Sequence, residues 1–236
     1  MLRLVAISDT HTHHQQLKVP DGDVFAHLGD YSKEGTAAET KSFLEWMSAL
    51  PHKHKLLVVG NHDRKSFFNF TEPMLDCSYF EQYPGISFLI HSGLTIEGVR
   101  FYGCASMRMS KANPIRYGNP ISEAPQTDVL LTHNAPKGIL DQIVVESEFG
   151  MGVQNIGDQE VADFVRKNPP KVHVFGHIHA QHGYTKIGGT QFWNVAACDD
   201  KNILVHGCVE IDIPVVQETE RSSNEEKESR SPNSSA

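Results

Sequence analysis

Cysteine is scarce in this chain, with four residues among 236, and Cys77, Cys104, Cys198 and Cys208 form no C-x-x-C pair. Neither a zinc knuckle nor a disulfide framework is indicated, and a reducing, cytoplasmic setting is expected. Long apolar runs are also missing. The first, Leu2 to Ile7, meets Asp9 before it could form a signal-peptide core, and none later approaches membrane-spanning length. Basic residues are outnumbered, 21 Lys and Arg against 29 Asp and Glu, for a formal charge of −8. That balance gives no extended nucleic-acid surface and no membrane partner, and it suits a small substrate. G-x-G-x-x-G, the P-loop pattern and internal repeats are absent. From Pro214 onward there is no aromatic residue and Glu, Ser, Asn and Arg dominate, so residues 214–236 are expected to be a disordered polar tail behind one domain spanning 1–213.

Histidine is abundant instead, at 14 residues, and several follow apolar runs where a strand should end. Strands are expected over Leu2 to Ile7, Asp23 to Leu28, Lys55 to Val59, Ser87 to Ile90, Val99 to Tyr102, Val129 to Leu131, Val172 to Phe175, Gln191 to Asn194 and Ile203 to Ile213. Thr36-Ala37-Ala38-Glu39 reads as a capping box opening a helix with Phe43, Leu44, Met47 and Leu50 on one face. Asp158 is placed to cap a second helix carrying Val161, Phe164 and Val165. Strands alternate with helices early and dominate late, the pattern of an α/β domain.

Five strand ends carry metal-type side chains: Asp9-Thr10-His11, Gly29-Asp30, Gly60-Asn61-His62-Asp63, Thr132-His133 and Gly176-His177-Ile178-His179. In a layered α/β fold such ends lie along one sheet edge, where distant residues converge. Singly each is ordinary turn or core chemistry; five in succession are not. Carboxylates, imidazoles and one amide suit Mn, Fe or Zn better than Ca. Seven candidate ligands, Asp9, His11, Asp30, Asn61, His133, His177 and His179, are too many for one ion and fit two sharing a bridging carboxylate, for which Asp30 is the choice.

The ordered motifs D-x-H, G-D, G-N-H-D, a single His and G-H-x-H resemble the calcineurin-like metallophosphoesterase superfamily, from about Leu2 to Ile213. Within it the chain looks most like the metallophosphoesterase-domain-containing (MPPED-like) proteins, on Gly22-Asp23-Val24 through Gly60-Asn61-His62, Val99-Arg100-Phe101-Tyr102-Gly103 and Pro170-Lys171-Val172-His173-Val174-Phe175-Gly176. The resemblance implies an α/β/β/α sandwich of two mixed sheets. It implies that Asp9, His11, Asp30 and His179 hold one divalent metal, and Asp30, Asn61, His133 and His177 the other, with Mn favoured. His62 would serve the leaving group as a proton donor, and Asp63 would orient it by a hydrogen bond. A hydroxide bridging the metals would attack phosphorus, without a protein nucleophile. His177 stands where some relatives have Gly, which favours activity.

The loop after Asp30 reads Tyr31-Ser32-Lys33-Glu34-Gly35, with Glu34 where phosphoprotein phosphatases of the superfamily carry an arginine. A phosphodiesterase acting on small diesters such as cyclic nucleotides is therefore expected; a phosphomonoesterase, with Arg64 or Lys65 replacing the arginine, and an inactive scaffold are the alternatives. Asp9-Thr10-His11-Thr12-His13 also matches the D-x-H-x-H opening of metal-dependent barrel enzymes. Such barrels need about 250 residues and leave Gly60-Asn61-His62-Asp63 without a role. Of the other histidines, His27 and His173 are expected to be buried strand residues, whereas His13 and His182 lie nearer the site.

Overall fold

The computed structural model describes residues 1–63, 81–105, 121–147 and 150–215. Most of the expected tail, together with Arg64 and Lys65, lies outside the described residues. In chain order the elements are β1 (Leu2–Ile7), β2 (Val24–Leu28), α1 (Ala37–Ala49), β3 (His54–Val58), β4 (Ile86–Phe88), β5 (Ser92–Ile96), β6 (Val99–Cys104) and β7 (Val129–Thr132). There follow β8 (Gln142–Ser147), β9 (Gly150–Asn155), α2 (Gln159–Lys167), β10 (Val172–Phe175), β11 (Gly183–Ile187), β12 (Thr190–Asn194) and β13 (Val209–Ile213). Among the described residues no helix is long and apolar enough to cross a membrane.

Two mixed sheets carry the fold, ordered β13-β1-β2-β3-β4 and β11-β12-β10-β7-β6-β5. β2 is buried at every position, as a parallel strand covered on both faces must be. The register sorts its residues: Val24 and Ala26 align with Leu4 and Ala6 on one face, and Phe25 and His27 with Val5 and Ile7 on the other. In the second sheet Phe101 and Val129 align with Val172, so this face meets Leu4, Ala26 and Leu56 in one apolar core between the sheets. On the outside α1 covers the first sheet, with Phe43 against His27 at 4.8 Å and Trp46 against Phe25 at 5.9 Å. α2 covers the second, where Val161, Phe164 and Val165 pack on Leu130, Phe175 and Phe192. The layers are therefore α/β/β/α, as the resemblance implied.

Both helices start where their caps dictate. Thr36 Oγ1 accepts from the Glu39 amide at 3.2 Å, and Glu39 accepts from the Thr36 amide at 2.9 Å. Asp158 accepts from the Glu160 amide at 2.7 Å. Each cap stabilises its helix by about 1 kcal/mol.

The expected strand Ile203 to Ile213 is corrected. Only Val209–Ile213 joins β1, because the stretch before it folds back on residues 197–199, with the amides of Val205 and His206 both donating to the Ala197 carbonyl. Ile203 and Val205 are consequently exposed. The expectation also lacked β5, β11 and the β8–β9 hairpin, which lies outside both large sheets.

Candidate metal centre

β1, β2 and β3 run parallel in one sheet, and β7 and β10 run parallel in the other. The five motifs follow their C-terminal ends. Ser8 stitches the two edges together: its amide donates to the Val195 carbonyl at 3.0 Å, its carbonyl accepts from Ala197, and its hydroxyl donates to the Leu28 carbonyl at 3.1 Å. Candidate ligands far apart in sequence are thus brought to one place.

They gather as two trios, Asp9, His11 and His179 in one and Asp30, His133 and His177 in the other, with the ligand atoms of each trio within 4.8 Å of one another. Asn61 Oδ1 lies 3.0 Å from His133 Nε2 and so joins the second. Asp30 stands with the second trio, and its Oδ2 is 3.3 Å from His133 Nε2. Asp9, His11, Asp30 and His177 all have positive φ, an unfavourable backbone state for which surrounding structure must compensate.

Backbone groups hold five of these side chains, those of Asp9, Asp30, His11, His133 and His179. The His177 amide donates to Asp9 Oδ2 at 2.8 Å and the His62 amide to Asp30 Oδ1 at 2.7 Å. His11 Nδ1 is bonded to the Ser32 carbonyl (3.1 Å), His133 Nδ1 to the Leu28 carbonyl (2.8 Å) and His179 Nδ1 to the Asp199 carbonyl (2.8 Å). A carbonyl only accepts, so Nδ1 carries a hydrogen, and the neutral ring presents Nε2 as its lone pair, the tautomer a metal ligand needs.

The motif glycines answer to contact. A Cβ on Gly60 would lie 2.1 Å from Asp30 Oδ1, and one on Gly176 would lie 2.2 Å from Asp9 Oδ2. Only glycine lets these backbones approach the carboxylates so closely.

Asp63 departs from its expected part. Its buried carboxylate accepts from the amides of Asp30 (2.7 Å), Gly60 (2.8 Å) and Ser32 (3.0 Å) and from Ser32 Oγ (2.8 Å), tying two ligand loops together. The His62 ring is oriented instead by the Lys33 carbonyl, which accepts from Nδ1 at 2.8 Å. His62 is exposed and its ring centroid is 4.9 Å from that of His11, beside the first trio. The sequence reading also missed two similar pairs behind the ligands. Thr10 Oγ1 meets His27 Nε2 at 3.0 Å, and Thr132 Oγ1 meets His173 Nε2 at 2.9 Å. A buried strand histidine at alternating register, with a threonine beside a ligand, was the available signal.

Charge in the site is unbalanced. Burial disfavours a protonated His133, yet the Asp30 carboxylate outweighs it and pushes the imidazole up to about 10. Burial would likewise raise Asp9, but His179 and His133 hold it well below the usual carboxylate range. His177 is pushed down to about 4 by burial and by the charge on His133. Buried Asp63, next to Asp30, rises to about 7.

Residues 2–181 match the calcineurin-like phosphoesterase family, so the chain belongs to that family of metal-dependent phosphoric ester hydrolases. Among its relatives, the Caenorhabditis elegans UPF0046 protein K07C11.7 is 34% identical over 223 residues, which cover 85% of this chain and 71% of that protein. Human metallophosphoesterase domain-containing protein 1 is 31% identical over 245 residues, covering 90% of this chain and 71% of the human one. A solved structure, TT1561 of Thermus thermophilus, shares the fold at a TM-score of 0.51 and 12% identity, covering 82% of this chain and 88% of that one.

The family implies divalent metal ions, and the donors fit them. Nε2 of His11 and Nε2 of His179 face each other at 3.3 Å, although both rings already spend their Nδ1 hydrogen on carbonyls. Two lone pairs at that distance repel unless positive charge lies beside them. Asp9 Oδ1 is buried without a hydrogen-bond donor, 3.3 Å from His179 Nε2. An acceptor-rich pocket of this kind calls for cations.

Proposed function

We propose that this protein is a phosphodiesterase for small diesters, cyclic nucleotides among them. Asp9, His11, Asp30 and His179 would hold one metal and Asp30, Asn61, His133 and His177 the other, with Mn the favoured ion. Bound there, the metals would supply charge neutralisation and an activated water. The chain's own residues do the rest. Asp30, which stands beside His133, would give its carboxylate to both ions, and the Asp63 clamp keeps its loop against Gly60. His62, with Nδ1–H donated to the Lys33 carbonyl, turns Nε2 away from that carbonyl; in its doubly protonated form it would give the Nε2 proton to the departing oxygen and be left as the neutral Nδ1–H tautomer.

The observation that carries the diester reading is that, among the described residues, no guanidinium is free to clamp a phosphate at the site. Each arginine among the described residues is paired elsewhere: Arg3 with Asp212, Arg100 with Asp128 and Arg166 with Asp163. Glu34 occupies the loop position where an arginine would clamp a dianionic monoester, so the bidentate fork is replaced by negative charge. A diester carries one negative charge and needs less compensation. A compartment without strong oxidants, such as the cytoplasm, suits the buried cysteines Cys104 and Cys198.

The test compares kcat/KM for bis(p-nitrophenyl) phosphate and p-nitrophenyl phosphate with Mn at neutral pH. Preference for the diester is expected, and preference for the monoester would overturn the reading. Cyclic nucleotides left intact by a diester-active protein would remove its narrower half.

A further inference from the structure

The capping box of α1 reaches further than a cap requires. To close the helix, the Glu39 carboxylate need accept only from the Thr36 amide, which it does at 2.9 Å. It also accepts from the Thr36 hydroxyl at 2.9 Å, from the Glu34 amide at 3.2 Å and from the Lys33 amide at 3.3 Å. Residues 33 and 34 precede the helix, so these last two bonds add nothing to the cap. Although burial works against its charge, these donors hold Glu39 below its usual range, so it is a carboxylate at neutral pH.

What the extra bonds hold is decided by the rigidity of the peptide unit. The Glu34 N–H and the Lys33 C=O belong to one planar trans group, as do the Lys33 N–H and the Ser32 C=O. In each plane the N–H edge is gripped by Glu39, and the opposite C=O edge grips an imidazole. The Lys33 carbonyl accepts from His62 Nδ1 at 2.8 Å, and the Ser32 carbonyl bonds His11 Nδ1 at 3.1 Å. Gly35, at φ 67°, lets the chain turn between this loop and Thr36. Donors polarised through such a chain strengthen one another, because charge on the N–H side increases electron density on the carbonyl.

We infer that Glu39 is a positioning residue, which through the two peptide planes of the Ser32–Glu34 loop fixes the orientation and tautomer of His62 and His11. For His62 this rests on the leaving-group role proposed above. An exposed ring on a surface loop would otherwise sample several rotamers, and most of them point Nε2 elsewhere. Asp63 anchors the start of the same loop at Ser32, but its bonds reach neither Lys33 nor Glu34. Glu39 is the carboxylate that grips the amides of that far half.

The experiment uses the full chain as parent, Glu39→Ala, Glu39→Gln, Thr36→Ala and His62→Ala. Thr36→Ala removes the capping hydroxyl yet leaves the Lys33 and Glu34 amides on Glu39, so it controls for a weakened helix. Long-range proton–nitrogen spectra of the zinc-loaded proteins read the His62 tautomer. Kinetics with Mn read the ratio of kcat/KM for a p-nitrophenyl diester to that for an alkyl diester of poor leaving ability. Parent and Thr36→Ala should show His62 protonated on Nδ1 and the same ratio. Glu39→Ala should show mixed tautomers and lose about tenfold or more on the poor leaving group alone, a part of what a general acid contributes, with Glu39→Gln intermediate. A parent-like tautomer and ratio in Glu39→Ala, or equal effects from Thr36→Ala, would overturn the inference. If His62→Ala itself leaves the ratio unchanged, the leaving-group role falls, while the tautomer spectra still decide the part assigned to Glu39.

Discussion

The Asp63 carboxylate accepts the amides of Asp30 at 2.7 Å and Gly60 at 2.8 Å, so one buried side chain holds the loop after β2 against the loop after β3. Asp63→Asn puts an amide donor where donors already point. It should cost about 1–3 kcal/mol of stability from the unsatisfied buried groups. It should also weaken Mn binding by about 10- to 100-fold, as the loss of an outer support commonly does. Urea denaturation and metal titration check both, and parent-like values would contradict the clamp.

Gly176→Ala would drive a Cβ to 2.2 Å from Asp9 Oδ2 and 2.3 Å from Ser8 Oγ, both buried. Metal affinity should fall by about tenfold or more, because Asp9 must shift. Gly189→Ala, which meets nothing within 4 Å, serves as the neutral comparison. Equal affinities in the two variants would mean that the close approach is dispensable.

How much of this was legible in the sequence differs from element to element. β1, β2, α1, α2 and β10 were readable because apolar runs and caps are local signals, and Asp158 and Thr36 sit where their helices begin. The motif residues were readable because each follows a strand end. The part of Asp63 was not, since a carboxylate next to a histidine looks like its partner until the fold places Ser32, Asp30 and Gly60 around it. The grip of Glu39 on Lys33 and Glu34 was equally hidden, because a capping box predicts only the bond to Thr36. The β8–β9 hairpin escaped because Val144, Met151 and Val153 are exposed, so no buried alternation marks it.

His173, buried beneath α2, is pushed down to about 3 by burial, whereas an unfolded histidine titrates near 6.5. Between those values the unfolded chain takes up a proton that the folded chain refuses. The contribution of this group is therefore complete above about pH 6.5 and declines as pH falls toward 3, by about 2 kcal/mol at pH 5. In His173→Leu that loss is absent. Urea midpoints at pH 7 and pH 5 should show the parent losing more stability than the variant by this amount. A parent–variant difference independent of pH would contradict the assignment.

Asp30 is proposed to serve both metals, whereas His11 would serve one. Asp30→Asn should therefore reduce turnover at saturating Mn more than His11→Ala does, since it removes charge from both ions at once. The ordering of the two kcat values checks this, and a parent-like Asp30→Asn would show that Asp30 does not bridge.

The Asp9 and Asp30 trios are proposed to form a two-metal site. Its most direct measurement is a titration of chelator-stripped protein with Mn, following bound metal by elemental analysis and hydrolysis of bis(p-nitrophenyl) phosphate together. No activity is expected without metal, with a plateau at two ions per chain and one ion fewer in Asp9→Asn. Full activity in the stripped protein, or a plateau at one ion with Asp9→Asn unchanged, would contradict the two-metal site.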